Sequence, residues 1–195
     1  MLVAAWSLSA PAGAHGDHKP APTRPPGAVT VKLADTALRD QDGRPVRIRS
    51  DVFGDRVVVI NFVFTTCTTV CPASTAVMAQ LQERLGARVG RDVVLVSLSV
   101  DPARDTPARL KEYAAKTGAR DGWVWLTGRK GDVDQVSRSF GAYAPNPDDH
   151  PALVMVGDAR SQVWTRFFGF PAPADLAQHV EQLLAARRAG SGAQQ

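Results

Sequence analysis

Runs of apolar residues alternate with turn-forming residues from position 29 onward, and this alternation predicts a series of strands and helices. Residues Val57 to Phe64 are apolar on both faces of a strand, apart from Asn61, which is typical of a strand in the centre of a sheet covered by helices. Val93 to Val100 repeats this pattern. Between the two strands, apolar residues at helical spacing predict a helix from about Ala73 to Leu85.

Turn and capping signals place the other elements. A hairpin over 38–48 would fold at Asp42-Gly43, where glycine adopts the positive φ that such turns require. Thr106 as N-cap and Pro107 at the first helical position begin a helix that ends near Gly118. The chain is then predicted to form a strand at 123–126, a helix at 133–140, an antiparallel strand pair at 152–156 and 162–168, and a last amphipathic helix at 174–187.

This order of elements predicts an α/β fold, because strands and helices that alternate along the chain form a parallel-containing sheet with helices on both faces. The late strand pair adds antiparallel members and makes the sheet mixed, and the early hairpin is an N-terminal extension. With 195 residues, 44% hydrophobic and 22% charged, the chain can bury a core of its own. We therefore expect one domain over 29–187.

The two ends differ from this domain. Residues 1–14 are an apolar stretch with a small-residue ending, similar to a secretory signal but without the usual Lys or Arg, so the signal would be truncated or degenerate. Residues 15–28 are a Pro-rich linker, and 188–195 a flexible Gly/Ser/Gln tail. No segment has the ~20 apolar residues of a membrane-spanning helix. We expect an exported protein on the periplasmic side of the cytoplasmic membrane, with no membrane anchor evident.

The net charge of +4 comes from arginines scattered among acidic residues rather than from a basic run interleaved with aromatic residues. Nucleic-acid binding is therefore not expected. A mildly basic surface could instead help to dock an acidic protein.

The only two cysteines, Cys67 and Cys71, directly follow the first buried strand. If a helix begins near Pro72, the sulfurs lie one turn apart, where they could close a disulfide or bind one soft metal ion. The helix N-terminus would stabilise a thiolate there. A disulfide that only braces the loop is the alternative, although so short a loop gains little stability from one.

Three segments together resemble the Sco/SenC family of copper-binding, thioredoxin-like proteins. They are Cys67 to Pro72, Ser99 to Pro107, and Asp149-His150 ahead of an apolar strand. The resemblance covers about 29–187 and implies a thioredoxin-like fold. Three residues separate the cysteines, whereas ordinary thioredoxin-like reductases usually have two.

The resemblance implies a copper metallochaperone that binds Cu(I) through Cys67, Cys71 and His150, and Cu(II) with an added oxygen ligand. It would deliver copper to the binuclear copper centre of a respiratory haem-copper oxidase. We expect a monomer whose partners are a copper-accepting oxidase subunit and also another periplasmic copper carrier or a thiol reductase. Asp101 or Asp149 could orient the imidazole, and His150–Pro151 could be a cis bond, as at the thioredoxin proline.

Two other functions stay open. Cys67 and Cys71 could act as a redox-active pair in an exported thiol-disulfide oxidoreductase, in which Cys67 attacks a disulfide and Cys71 resolves the intermediate. A peroxide-reducing enzyme has less support, because only the neighbouring threonines favour it. His15 and His18 in the linker and His179 in the last predicted helix lack a comparable setting.

Overall fold

The structure is a computed structural model that describes residues 27–192. This part of the chain contains eight strands and four longer helices. The strands are β1 Gly27–Thr30, β2 Ala37–Asp40, β3 Pro45–Arg47, β4 Val57–Val63, β5 Val93–Ser99, β6 Trp123–Thr127, β7 Leu153–Asp158 and β8 Val163–Phe168. The helices are α1 Val70–Leu85, α2 Pro107–Lys116, α3 Lys130–Phe140 and α4 Pro173–Gly192. The chain also forms a π-helical turn at Ile48–Phe53 and 3-10 helical turns at Gly86–Arg88 and Pro147–Asp149.

The strands form one mixed sheet in the order β1-β8-β7-β4-β5-β6-β2-β3. Strand β4 runs parallel to β5 and antiparallel to β7, and β5 runs parallel to β6. Every residue of β4 and β5 is buried, as expected for central strands with helices on both faces. The C-terminal ends of β4 and β5 and the start of β7 therefore lie at the same end of the strands. We call this end of the sheet the thiol edge, because the cysteine loop leaves β4 there.

Two apolar layers cover the sheet. Helices α1, α2 and α4 pack on one face, where Met78, Leu81, Leu110 and Val180 are buried. Helix α3 and the π-helical turn cover the other face with a second set of buried residues, which includes Ile48, Phe53, Val133, Val136 and Phe140. The α/β, thioredoxin-like fold with a mixed sheet is thus confirmed, and Met78 is a core residue as the helical pattern predicts.

A buried polar network crosses the centre of the sheet. The hydroxyl of Ser97 donates to Oδ1 of Asn61 (2.7 Å) and accepts from the indole N–H of Trp123 (3.0 Å). The Asn61 amide N–H in turn donates to Oγ of Ser74 in α1 (3.1 Å). The one polar residue in the predicted strand 57–64 is therefore satisfied by β5 and α1, as buried polar groups must be.

Several boundaries differ from prediction. Helix α1 begins at Val70 rather than near Ala73, so Pro72 lies in the first turn, where a missing N–H breaks no helical hydrogen bond. Helix α4 continues to Gly192 instead of ending at Arg187, and the predicted tail is helical up to that residue. The side chain of Arg187 bonds Asp158 of β7 and so holds this end of the helix to the sheet.

The predictions for the N-terminus concern mostly residues outside 27–192. The expected signal at 1–14 and the linker up to position 26 belong to that part of the chain, together with His15 and His18. Gly27 and Ala28, expected to end the linker, are the first residues of β1. No helix in residues 27–192 combines the length and the apolar character needed to cross a membrane.

Candidate functional site

The cysteine loop connects the end of β4 to the start of α1. Cys67 lies in the loop, where its N–H bonds the carbonyl of Phe64 (3.2 Å), and Cys71 lies in the first turn of α1. Both thiols are free, and Cys67 is the more exposed, at 8% against 1% for Cys71. The N–H of Cys71 points at the sulfur of Cys67 (3.2 Å). A helix N-terminal donor thus stabilises negative charge on Cys67.

The two thiols have opposite acidities. Burial acts to raise the pKa of Cys67, but hydrogen bonds from Cys71 and Thr69 outweigh it, and the net pKa is lowered. Burial raises the pKa of Cys71 to about 12, and its hydrogen bond to Cys67 adds to this rise. The pair therefore consists of one thiolate-forming sulfur at the surface side and one protonated thiol beneath it.

His150 lies beside the deeper cysteine. The 3-10 turn Pro147–Asp149 leads into it, and its Nε2 lies 4.0 Å from Sγ of Cys71, although 79 residues separate them. Only 7% of His150 is exposed, and the edge of its ring packs against Phe64 with centroids 5.8 Å apart. Burial lowers the pKa of His150, which favours a neutral imidazole.

The backbone, rather than a carboxylate, orients the imidazole. Nδ1 lies 3.2 Å from the carbonyl oxygen of Pro151, so a proton on Nδ1 donates to that oxygen and leaves the lone pair of Nε2 toward Cys71. Of the two carboxylates that the sequence suggested, Asp101 bonds Arg104 and Asp149 is exposed. The suggestion that Asp101 or Asp149 orients the imidazole is therefore wrong, because the described contacts of the ring involve neither carboxylate.

The bond between His150 and Pro151 is trans, since the described residues contain no cis peptide bond. His150 is extended, with φ −65° and ψ 141°, which is the conformation that a residue before proline prefers. The cis bond considered from the sequence is thus corrected. The loop reaches the cysteines because β7 pairs directly with β4.

Asp105 supports the cysteine loop, a role that the sequence analysis did not assign. Its buried carboxylate accepts the N–H of Thr65 (3.1 Å), the hydroxyl of Thr65 (2.6 Å) and the hydroxyl of Ser99 (2.6 Å). Thr65 is 40 residues away along the chain and two before Cys67. The available signal was that Asp105 comes soon after a buried strand, but nothing local indicated its partner.

Cys67, Cys71 and His150 are candidate metal ligands by their chemistry. With metal–sulfur and metal–nitrogen bonds of about 2.3 and 2.0 Å, as for zinc, the 4.0 Å between Cys71 and His150 fits two ligands of a single ion. Within residues 27–192, no three His, Cys, Asp or Glu side chains are already gathered at metal-binding spacing. A metal ion bound by all three side chains would therefore require a rearrangement of the site.

The thioredoxin-like sheet, with a cysteine pair between a central strand and the next helix, defines the class of protein. The family model described as SCO1/SenC matches residues 32–185, most of the chain. The chain therefore belongs to the SCO1/SenC family, and the resemblance noted in its sequence is confirmed.

Similarity to individual proteins agrees with this membership. The SCO1 protein homolog of Bacillus subtilis is 35% identical over 120 residues, which are 60% of this chain and 61% of that protein. A SCO1/SenC family lipoprotein from Bacillus anthracis has a similar structure (TM-score 0.71, 29% identity, 80% of this chain and 97% of that one). So does Arabidopsis thaliana ScoI with copper bound (TM-score 0.63, 25% identity, 78% and 99%). The match thus spans less than two thirds of the Bacillus subtilis relative.

Proposed function

We propose that this protein is a copper metallochaperone that binds Cu(I) and Cu(II) through Cys67, Cys71 and His150. The observation that carries the proposal is the 4.0 Å separation of the Cys71 sulfur and the His150 Nε2, brought together across the sheet. Two thiolates and a neutral imidazole suit Cu(I), a soft ion with a preference for sulfur. Copper-bound structures of the relatives from Arabidopsis thaliana and Bradyrhizobium japonicum support the choice of metal.

The proposed destination of the copper is the binuclear copper centre of a respiratory haem-copper oxidase. Support comes from the related structure of BsSco, which is described as a member of the Sco family of cytochrome c oxidase assembly proteins. The copper would pass to ligands of an oxidase subunit by ligand exchange, without a change in its oxidation state. An exported, periplasmic location, a monomeric state and a copper carrier or thiol reductase as further partner complete the proposal.

Binding would couple to proton release. Cys71 holds its proton in the free protein, so a Cu(I) ion must displace it, whereas Cys67 is the more readily ionised sulfur. The imidazole needs no proton loss near neutral pH, because its lowered pKa already keeps it neutral. Cys71 is therefore the ligand whose binding should release a proton.

The acidities of the two thiols favour a second candidate function, exported thiol-disulfide oxidoreductase. The Cys67 thiolate would attack a disulfide of an acceptor, form a mixed disulfide and release one acceptor thiolate. Cys71 would then lose its proton and attack the Cys67 sulfur, which frees the second acceptor thiolate. The acceptor gains two electrons, with one proton from Cys71 and a second from solvent, and Cys67 and Cys71 become a disulfide.

An anaerobic Cu(I) titration against a competing chelator tests the main proposal. We expect one tight equivalent in the reduced parent, marked weakening in His150→Ala, and loss of tight binding in Cys67→Ser and Cys71→Ser. His179→Ala is the matched control, because His179 is a partly buried histidine of α4 that packs on Phe167. Weak binding in the parent with intact disulfide exchange would make the oxidoreductase the better function.

A further inference from the structure

An apolar surface borders the candidate site. It consists of two short segments that contribute exposed or half-buried apolar side chains, and we call it the apolar rim: Pro151, Ala152, Phe170, Pro171 and Ala172. Phe170 is 43% exposed, one of two large hydrophobic side chains so exposed in the described residues. The exposed Phe170 thus has apolar neighbours in its own segment and a second apolar segment in the rim.

The backbone holds the two segments of the rim side by side. The N–H of Gly169 donates to the carbonyl of Ala152 (2.9 Å), directly beyond the last pair of the β7–β8 ladder, Leu153 with Phe168. Because β7 begins at the thiol edge, this part of β8 ends there as well. His150 directly precedes the first segment, so the rim adjoins the candidate ligands.

The two residues that precede His150 are negatively charged. Asp148 and Asp149 are both exposed, and neither forms an ion pair with another described residue. Other aspartates of the fold, such as Asp134 beside Lys130, are neutralised by a neighbouring base. This local negative charge, on a chain of net charge +4, would attract a basic surface of a partner protein.

The chemistry of the site requires close approach of another protein at this edge. The sulfur-bearing residue nearest the surface, Cys67, is only 8% exposed, and His150 only 7%. A transferred ion or disulfide must therefore meet its acceptor at the thiol edge, where His150 lies between Asp149 and the first rim segment along the chain. Aromatic residues at such positions commonly supply much of the binding energy of an interface.

We propose that the apolar rim, with Asp148 and Asp149, is the docking surface for the acceptor protein, which presents an apolar pocket for Phe170 flanked by Lys or Arg. This inference rests on the proposed delivery of copper and names the chemistry of the partner that receives it. Recognition is then separate from metal binding: Phe170 selects the partner, and the thiols and imidazole hold the ion.

The test measures Cu(I) transfer to the soluble copper-binding domain of a haem-copper oxidase subunit, in its reduced and copper-free form. Phe170→Ser should lower the second-order transfer rate by about tenfold or more, a typical effect of removing an aromatic hot spot. Phe170→Leu should restore much of it. Val163→Ser is the matched control, because Val163 is 47% exposed at the opposite end of β8 and should leave the rate unchanged.

Two further measurements separate docking from binding. The Cu(I) affinity from chelator competition should be the same for the parent and Phe170→Ser. The combined Asp148→Asn and Asp149→Asn variant should transfer more slowly at low salt and depend less on ionic strength. If the parent itself does not bind Cu(I) tightly, the proposed function fails. The same variants are then tested in disulfide exchange with the oxidised domain, and their exchange rates show whether the apolar rim is the docking surface.

Four outcomes would overturn the docking proposal. One is a Phe170→Ser protein that transfers copper at the parent rate, and another is an equal loss in Val163→Ser. The third is a dimer of the parent that Phe170→Ser dissociates, because the rim would then be covered by a second copy of this chain. A parent that binds Cu(I) tightly but does not transfer it to the oxidase domain also contradicts the acceptor named here.

Discussion

The N–H of Cys71 donates to the sulfur of Cys67 over 3.2 Å, so the first turn of α1 stabilises one thiolate of the pair at the expense of the other. Cys67 consequently has a lowered pKa, while burial raises the pKa of Cys71 to about 12. Chemical reactivity and metal binding should both begin at Cys67, because the thiolate is the reactive form in each case.

Alkylation should distinguish the two cysteines in the parent protein. We expect iodoacetamide to label Cys67 with a pH midpoint below 9, and to leave Cys71 largely unlabelled at pH 10. Peptide mapping by mass spectrometry after short exposures measures each site. The urea-unfolded protein is the control, in which both cysteines should react alike. Equal labelling of the folded protein across the pH range would refute the assigned acidities.

Asp105→Asn should weaken the cysteine loop. An amide cannot accept the three hydrogen bonds that the carboxylate accepts, and its N–H group would face the donors Thr65 and Ser99. The free energy of unfolding in urea should fall by about 1.5–3 kcal/mol, the usual size for a hydrogen bond to a charged group.

The matched pair for this variant is Thr65→Ser and Thr65→Val. The serine keeps the hydroxyl that donates to Asp105 (2.6 Å), and the valine removes it without removing the backbone bond. Thr65→Val should therefore be less stable than Thr65→Ser and should label faster at Cys71. A stable Asp105→Asn protein would show that Asp105 does not support the loop.

Ser97→Ala should destabilise the centre of the sheet. It removes the hydroxyl between Asn61 and Trp123 and leaves a buried amide oxygen and a buried indole N–H without that partner. We expect a loss of about 1–3 kcal/mol, measured by urea unfolding followed by tryptophan fluorescence. Ser139→Ala on α3 is the control, because its hydroxyl bonds only a solvent-exposed backbone carbonyl of its own helix.

His150 should make the stability of the protein sensitive to mild acid. Its pKa is lowered by burial in the folded state, so the unfolded chain binds a proton more readily. The stabilising contribution is present above the unfolded pKa of about 6.5 and is lost as the pH falls below it.

The pH dependence of urea unfolding checks this sign. Between pH 7 and 5 the parent should lose more free energy of unfolding than His150→Gln. His179, whose pKa burial also lowers, contributes to both proteins and cancels in the difference. An identical slope in the two proteins would contradict a buried, neutral His150.

Much of the fold was predictable because its signals are local. The apolar runs at 57–64 and 93–100 predicted the central strands β4 and β5, and Thr106 with Pro107 predicted the start of α2, where Thr106 is the N-cap. The ends of α1 and α4 were less predictable. In α1 the proline is tolerated within the first turn, and the last turns of α4 are held by the contact of Arg187 with Asp158 across the fold.

The sequence by itself determined the α/β class, the central strands, the cysteine pair at a helix start and the family resemblance, because each depends on neighbouring residues or on a short motif. Only the tertiary structure decided that His150 lies 4.0 Å from Cys71, that the Pro151 carbonyl orients its ring, and that Asp105 supports Thr65. These contacts depend on the order and register of the strands, where the pairing of β7 with β4 places distant loops at one edge. Burial and acidity at the site follow from that packing, and no local pattern encodes them.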